Sequence, residues 1–132
     1  MGTAPNDGDG VNAYKKYRAD GSISGGGGHN VIVADIDDLY DEFGYGIPKF
    51  PFAIRHFMDY CLDTFPTPPQ NLFLVGKSVQ SDQIRNKNSD PTGKNYAITF
   101  VPSIAYPTCD NMLVAGLNGT RMESPVSIGR LA

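Results

Sequence analysis

The stretch from Pro51 to Pro69 leaves this chain the least freedom. Ile54, Phe57, Met58, Cys61, Leu62 and Phe65 recur at spacings of three and four, the period of one helix face, while Arg55, His56, Asp59 and Asp63 occupy the opposite, wet face. Pro51 suits the first helical position, where a missing N–H costs nothing, and Pro66, Pro68 and Pro69 end the helix firmly. Leu72-Phe73-Leu74-Val75-Gly76 follows as a fully apolar run of strand length.

A similar order appears upstream. Val31-Ile32-Val33-Ala34 is a short β-branched apolar run, which reads as a strand buried on both faces. Asp35 then reads as an N-cap, and Ile36, Leu39, Tyr40 and Phe43 place a short amphipathic helix directly after it. Gly44 and Gly46-Ile47-Pro48 stop that helix. Strand, helix, helix, strand predicts a parallel, right-handed crossover, hence an α/β fold with a small, mostly parallel sheet flanked by helices. Further upstream, Val11 to Arg18 is a helical candidate ending at Asp20-Gly21. Ser22 to Gly28, with four consecutive glycines, reads as a flexible linker, and residues 1 to 10 as a frayed end. The expected organisation is a flexible segment with a short helix over residues 1–29 and an α/β subdomain over residues 30–132.

Downstream the pattern weakens. Lys77 to Lys94 reads as a surface loop with turns at Ser81-Asp82 and Asp90-Pro91-Thr92-Gly93. Tyr96 to Val101 alternates apolar and polar residues, as an edge strand closed by Pro102 would. Met112 to Ala115, the turn Asn118-Gly119 and Val126 to Gly129 suit either a hairpin or two separate short strands.

Composition excludes several function classes. At 132 residues there is room for one core. A net charge of -3 gives no basic field for a phosphate backbone, so no nucleic-acid partner is expected. No run approaches the roughly 18 apolar residues of a membrane span, and Met1 to Asp7 lacks a basic-then-apolar signal pattern. Fifteen Gly and 10 Pro forecast prominent loops. Cys61 and Cys109 sit in no metal-ligand spacing; they can pair or stay free.

The remaining constellations carry little chemistry. Gly25 to Gly28 precedes a strand candidate, the wrong order for a phosphate loop, and Gly76-Lys77-Ser78 has Asn71 where a nucleotide-binding loop needs glycine. Cys61 and His56 stand about 140° apart on one helix and cannot form a nucleophile–base pair, so Cys61 reads as a core residue. Cys109 with His29 is the only dyad left. Asp35, Asp37, Asp38, Asp41 and Glu42 read as helix capping and a solvated face. Asn118-Gly119-Thr120 is a glycosylation triplet of low specificity. No cofactor or metal is expected.

The series Leu39-Tyr40-Asp41-Glu42-Phe43-Gly44-Tyr45-Gly46-Ile47, Ala53-Ile54-Arg55, Phe57, Leu72 to Gly76, Val101-Pro102, Asp110 and Ile128-Gly129-Arg130 resembles the first part of the catalytic region of gingipain-type cysteine peptidases. That family includes the surface peptidase of the type IX secretion system, and the resemblance spans about residues 30 to 131. It implies a caspase-like first subdomain, secreted or at the cell surface. Its partner would be a second subdomain carrying the catalytic His and Cys, and its substrate, through the parent protein, a polypeptide.

On this reading none of His29, His56, Cys61 and Cys109 takes a catalytic role, and the isolated chain is inactive. The chain departs from the family at Lys77, where an acidic residue usually follows Val-Gly, and at Cys109, where serine is common. Function in open α/β sheets gathers outside the carboxyl ends of strands, which marks Asp35, Lys77 and Asp110 as bordering the parent's active site. An exposed sheet edge near Val126 to Leu131 would meet the rest of the sheet or drive self-association. Two rivals stand beside this reading. One is a non-enzymatic binding or secretion module on the same scaffold. The other is a response-regulator-like domain with Asp35 as its phosphorylated residue.

Overall fold

A computed structural model describes residues 9–80, 82–105 and 107–132. Of the expected frayed end at residues 1–10, residues 1–8 lie outside the described residues, as does the turn residue Ser81, whereas Asp9 and Gly10 are helical. The chain forms two compact units, divided after Asp35.

The first unit is organised by Arg18. Helix α1 (Asp9–Ala19) ends in a turn that folds back on it. Arg18 donates to the Gly25 carbonyl and to Nε2 of His29, both at 2.9 Å, while the His29 amide donates to the Arg18 carbonyl at 2.9 Å. A side chain on Gly26 would sit 2.2 Å from the Asp20 carbonyl oxygen, and Gly25, Gly27 and Gly28 all have positive φ. The glycine run therefore takes defined conformations open only to glycine. Val31 to Ala34 has no regular secondary structure and no ladder partner, with Ile32 60% and Val33 51% exposed, so the expected first strand is absent. A β-branched run favours an extended backbone, but only a neighbouring strand makes it a sheet.

The second unit opens with helix α2 (Ile36–Phe43) packed on helix α3 (Phe52–Thr64). The expected stripe buries Ile54, Met58, Cys61 and Leu62, and Ala53 joins the apolar contacts of Leu39 and Tyr40. Pro51, at φ -66, takes the N-cap position. The face expected to be wet is only partly so. Asp59 and Asp63 are exposed, but Arg55 and His56 are half-buried because backbone carbonyls claim their donors.

Strand β1 (Asn71–Val75) pairs in parallel with strand β2 (Ser127–Leu131), from Asn71 opposite Ser127 to Val75 opposite Leu131. Both strands are one-sided. Leu72, Leu74 and Ile128 pack on the α3 core with Leu113, Val114, Leu117 and Val126, while Phe73, Val75 and Leu131 are exposed. The parallel connection thus runs between β1 and β2 across residues 76–126, and the expected strand–helix–helix–strand crossover does not form. The molecule is nonetheless α/β, a small parallel sheet flanked by helices.

That long connection contains helix α4 (Asp82–Arg85) and helix α5 (Lys94–Ile98). Helix α5 replaces the expected edge strand at Tyr96 to Val101. The carboxylate of buried Asp90 accepts from the amides of Asn95 (3.1 Å) and Tyr96 (3.0 Å), which fixes a helical start that the short alternation could not outweigh. Residues Asp110–Leu113 form a single 3₁₀ turn, so Met112 to Ala115 is no strand. Asn118-Gly119 is the expected turn, with both residues at positive φ and the Thr120 amide bonded to the Leu117 carbonyl at 3.1 Å.

Candidate functional site

The loops beyond the carboxyl end of β1 are drawn together by backbone contact. Gly76 has φ 148, and a Cβ there would meet Val101 Cγ2 at 2.6 Å, so only glycine lets the two segments approach so closely. The Lys77 carbonyl accepts from the amides of Phe100 (2.8 Å) and Val101 (3.2 Å), and the Ser78 hydroxyl accepts from the amide of Ser103 at 3.1 Å. Thr99, fully buried, donates to the Asn95 carbonyl at 2.9 Å and accepts from the Val79 amide at 3.3 Å.

Arg130 ties this cluster to the sheet. It occupies a core-facing register position on β2, opposite Leu74. Its Nε and Nη2 donate to the two carboxylate oxygens of Asp110 at 2.8 and 2.7 Å, a bidentate pair, and its Nη1 reaches the carbonyls of Gly76 and Val101, both at 2.6 Å. The planar guanidinium suits this arrangement in a way a lysine would not. The Arg130 guanidinium holds the Asp110 carboxyl below its ordinary value against the opposing effect of burial. The Ser103 hydroxyl adds to the lowering from close by, without reaching hydrogen-bond geometry. Asp110 is thereby fixed as an anion bound to a cation, an anchor in character, with its proton-transfer capacity suppressed.

Of the three residues expected to border an active site, Lys77 and Asp110 lie in this cluster. Lys77 takes part through its backbone and leaves its side chain exposed. Asp35 closes the first unit ahead of α2 and follows no strand, which removes the basis for reading it as a phosphorylated strand-end aspartate. Arg130 was visible in the sequence only as part of Ile-Gly-Arg. Its alternation with Ile128 on an otherwise core-facing side is the signal that marks a charged residue with a buried partner.

The thiols and imidazoles do not converge within the second unit. Cys61 is 3% exposed, and burial pushes its thiol above its ordinary value, away from the reactive thiolate. His56 Nδ1 donates to the Phe43 carbonyl at 2.8 Å, on a different face of α3. Cys109 is exposed, and both cysteines are free. Among the described residues no cluster of three His, Cys, Asp or Glu side chains is arranged to hold a metal ion.

The sequence pattern of peptidase family C25 matches residues 8–132, nearly the whole chain. The chain belongs to this family, the gingipain family of cysteine peptidases. No curated protein and no solved structure matches it significantly. Within this C25 protein the matched region takes in both units and every residue of the Arg130 cluster.

Proposed function

We infer that the chain is the amino-terminal part of the catalytic region of a gingipain-like cysteine endopeptidase, a caspase-like first subdomain that borders the active site and contributes neither nucleophile nor base. The catalytic His and Cys would come from a second subdomain, the polypeptide substrate would be engaged by the parent protein, and the parent would act outside the cell or at its surface. The observation that carries this reading is the state of Cys61 and His56 in a chain of a cysteine-peptidase family. Cys61 is sealed in the core with a suppressed thiolate, and the one histidine on its helix donates to a backbone carbonyl. The Arg130 cluster supports a bordering role, because it arrests loops at the strand ends where α/β enzymes place substrate.

The test is cleavage of unstructured peptides by the 132-residue chain, with and without a thiol-alkylating reagent. No thiol-dependent cleavage is expected, and robust thiol-dependent cleavage overturns the assignment. The polypeptide encoded after Ala132 should supply a Gly-His and, later, a Cys at the ends of successive apolar runs. Their absence would favour a non-enzymatic binding or secretion-associated module on the same scaffold.

A further inference from the structure

A cavity of about 270 Å³ opens within the second unit, between Lys49 to Phe52, helix α4 and Pro102-Ser103. Its walls are mostly apolar and stiff. Phe50 and Phe52 have ring centroids 5.6 Å apart, Pro102 is fully buried, and Ile84 closes the α4 side. At this size, just below the usual range for small-molecule sites, it admits a group no larger than one amino-acid residue.

Two of the lining residues, Lys49 and Arg85, carry charge. Lys49 Nζ lies 4.5 Å from the centroid of the Tyr96 ring and Arg85 Cζ lies 5.8 Å from the same centroid, so two cations of the lining converge on one ring. Their hydrogen bonds go to neutral carbonyls, Lys49 to Tyr96 and Arg85 to Pro48, which leave both charges in place. Burial pulls the Lys49 ammonium below its ordinary value, and the charge of Asp37 opposes this only in part. Lys49 also holds φ 57, a left-handed conformation that is strained for a residue with a side chain.

Orphan polar groups gather in the same region. Among the described residues the buried side-chain hydroxyls without a hydrogen-bond partner are those of Tyr40 and Ser103. Ser103 belongs to the cavity wall. Burial raises the Tyr40 hydroxyl above its ordinary value, followed by Asp37 and Tyr96, while Arg85 and the Lys49 backbone oppose the rise, which places Tyr40 beside the same residues. Ser103 leans on the Asp110 carboxylate and Tyr40 on the Lys49 backbone without reaching hydrogen-bond geometry, so both hydroxyls keep capacity that an ordered water or a polar ligand group can take up.

We propose that this pocket binds a carboxylate carried on a single apolar or aromatic group, the apolar part between Phe50, Phe52 and Pro102 and the carboxylate on Lys49 and Arg85. Walls this apolar tolerate charge at one end of a ligand only, and a planar carboxylate matches the fork of an arginine. Such a group is found both at the carboxyl terminus of a polypeptide and where an acidic side chain neighbours an apolar one. The inference is independent of the peptidase reading, because it concerns equilibrium binding by residues outside any proton-transfer step.

The test is titration of the isotope-labelled chain with three probes, followed by amide shifts at Phe52, Arg85 and Ser103. N-acetylphenylalanine should bind with a Kd of ~1 mM and N-acetylphenylalaninamide about tenfold more weakly. N-acetyl-glutamyl-phenylalaninamide, whose only carboxylate is on a side chain, separates the two sources: binding at the strength of the free acid assigns the side chain, and binding as weak as the amide assigns the chain terminus. Arg85→Gln, at an exposed position, and Lys49→Gln should each weaken the carboxylate probe about fivefold, whereas Lys77→Gln, outside the pocket, should leave it unchanged. Equal binding of acid and amide, no binding of any probe, or equal weakening by Lys77→Gln overturns the proposal.

Discussion

Residues 36–75 and residues 76–126 belong to the same compact unit but are held by different forces. In the first region, helices α2 and α3 satisfy their own backbone and contribute volume to the core, through Leu39, Tyr40, Ala53, Ile54, Met58 and Leu62. In the second, the chain is mostly irregular and a few side chains collect its backbone groups. Arg55 takes the carbonyls of Met112 and Ala115 at 3.0 and 2.7 Å, Arg130 those of Gly76 and Val101, and Asp90 the amides of Asn95 and Tyr96. Irregular backbone can be buried only where polar side chains arrive to satisfy it, so its stability rests on a handful of anchors.

Removing volume where the two regions meet should have the largest effect. Leu113 is fully buried between α3 and the sheet, and Leu113→Ala should cost about 2–5 kcal/mol in urea unfolding, with protection lost across the whole unit. Removing one anchor should be smaller and more local. Arg55→Met keeps most of the side chain's bulk but strands two carbonyls, at a cost of about 2 kcal/mol, with faster amide exchange confined to residues near Met112 to Gly116. Equal acceleration throughout α3 would erase the contrast between the regions.

Asp110→Asn sharpens it by pH. The native carboxyl is held below its ordinary value by Arg130, so at mildly acid pH the unfolded chain takes up the proton first. The pair's contribution is therefore whole above roughly pH 5 and is lost as pH falls through the native value, which lies below the ordinary carboxyl value of about 3.9. The variant should be about 1–2 kcal/mol less stable at pH 7, given a partly solvated pair, and its stability should fall less steeply on acidification. An unchanged acid slope would show that Asp110 does not carry this linkage.

The smallest effect should come from the cysteines. Cys109, exposed in its loop, should alkylate in the native state and tolerate Cys109→Ser within about 0.5 kcal/mol, whereas Cys61 should react only on unfolding.

The same division governs how much could be read beforehand. Helices α2 and α3, strand β1 and the Asn118-Gly119 turn were legible because periodicity, proline stops and turn residues act on neighbours a few positions away. Val31 to Ala34 misled because its composition reports extended preference and says nothing of a partner. Tyr96 to Val101 misled because Asp90, several residues upstream, captures the amides that start α5. Arg55 and His56 were assigned to the wet face by polarity, yet the carbonyls of residues 112, 115 and 43 were waiting for them. At the candidate site Lys77 and Asp110 were expected from strand-end logic, but Asp110 follows no strand, and Arg130, which gives it its character, was seen only as a motif letter.

The chain by itself determined where α2 and α3 begin and stop, that Cys61 is core, and that the fold is α/β, because each follows from local stereochemistry or a local apolar period. Tertiary structure alone decided which strand pairs with β1, that Arg130 rather than a histidine organises the strand ends, and that Lys49 and Arg85 share one ring and one cavity. Those are relations between residues far apart in sequence, and the free energy that selects them arises only when the whole unit closes and polar groups must find partners away from water.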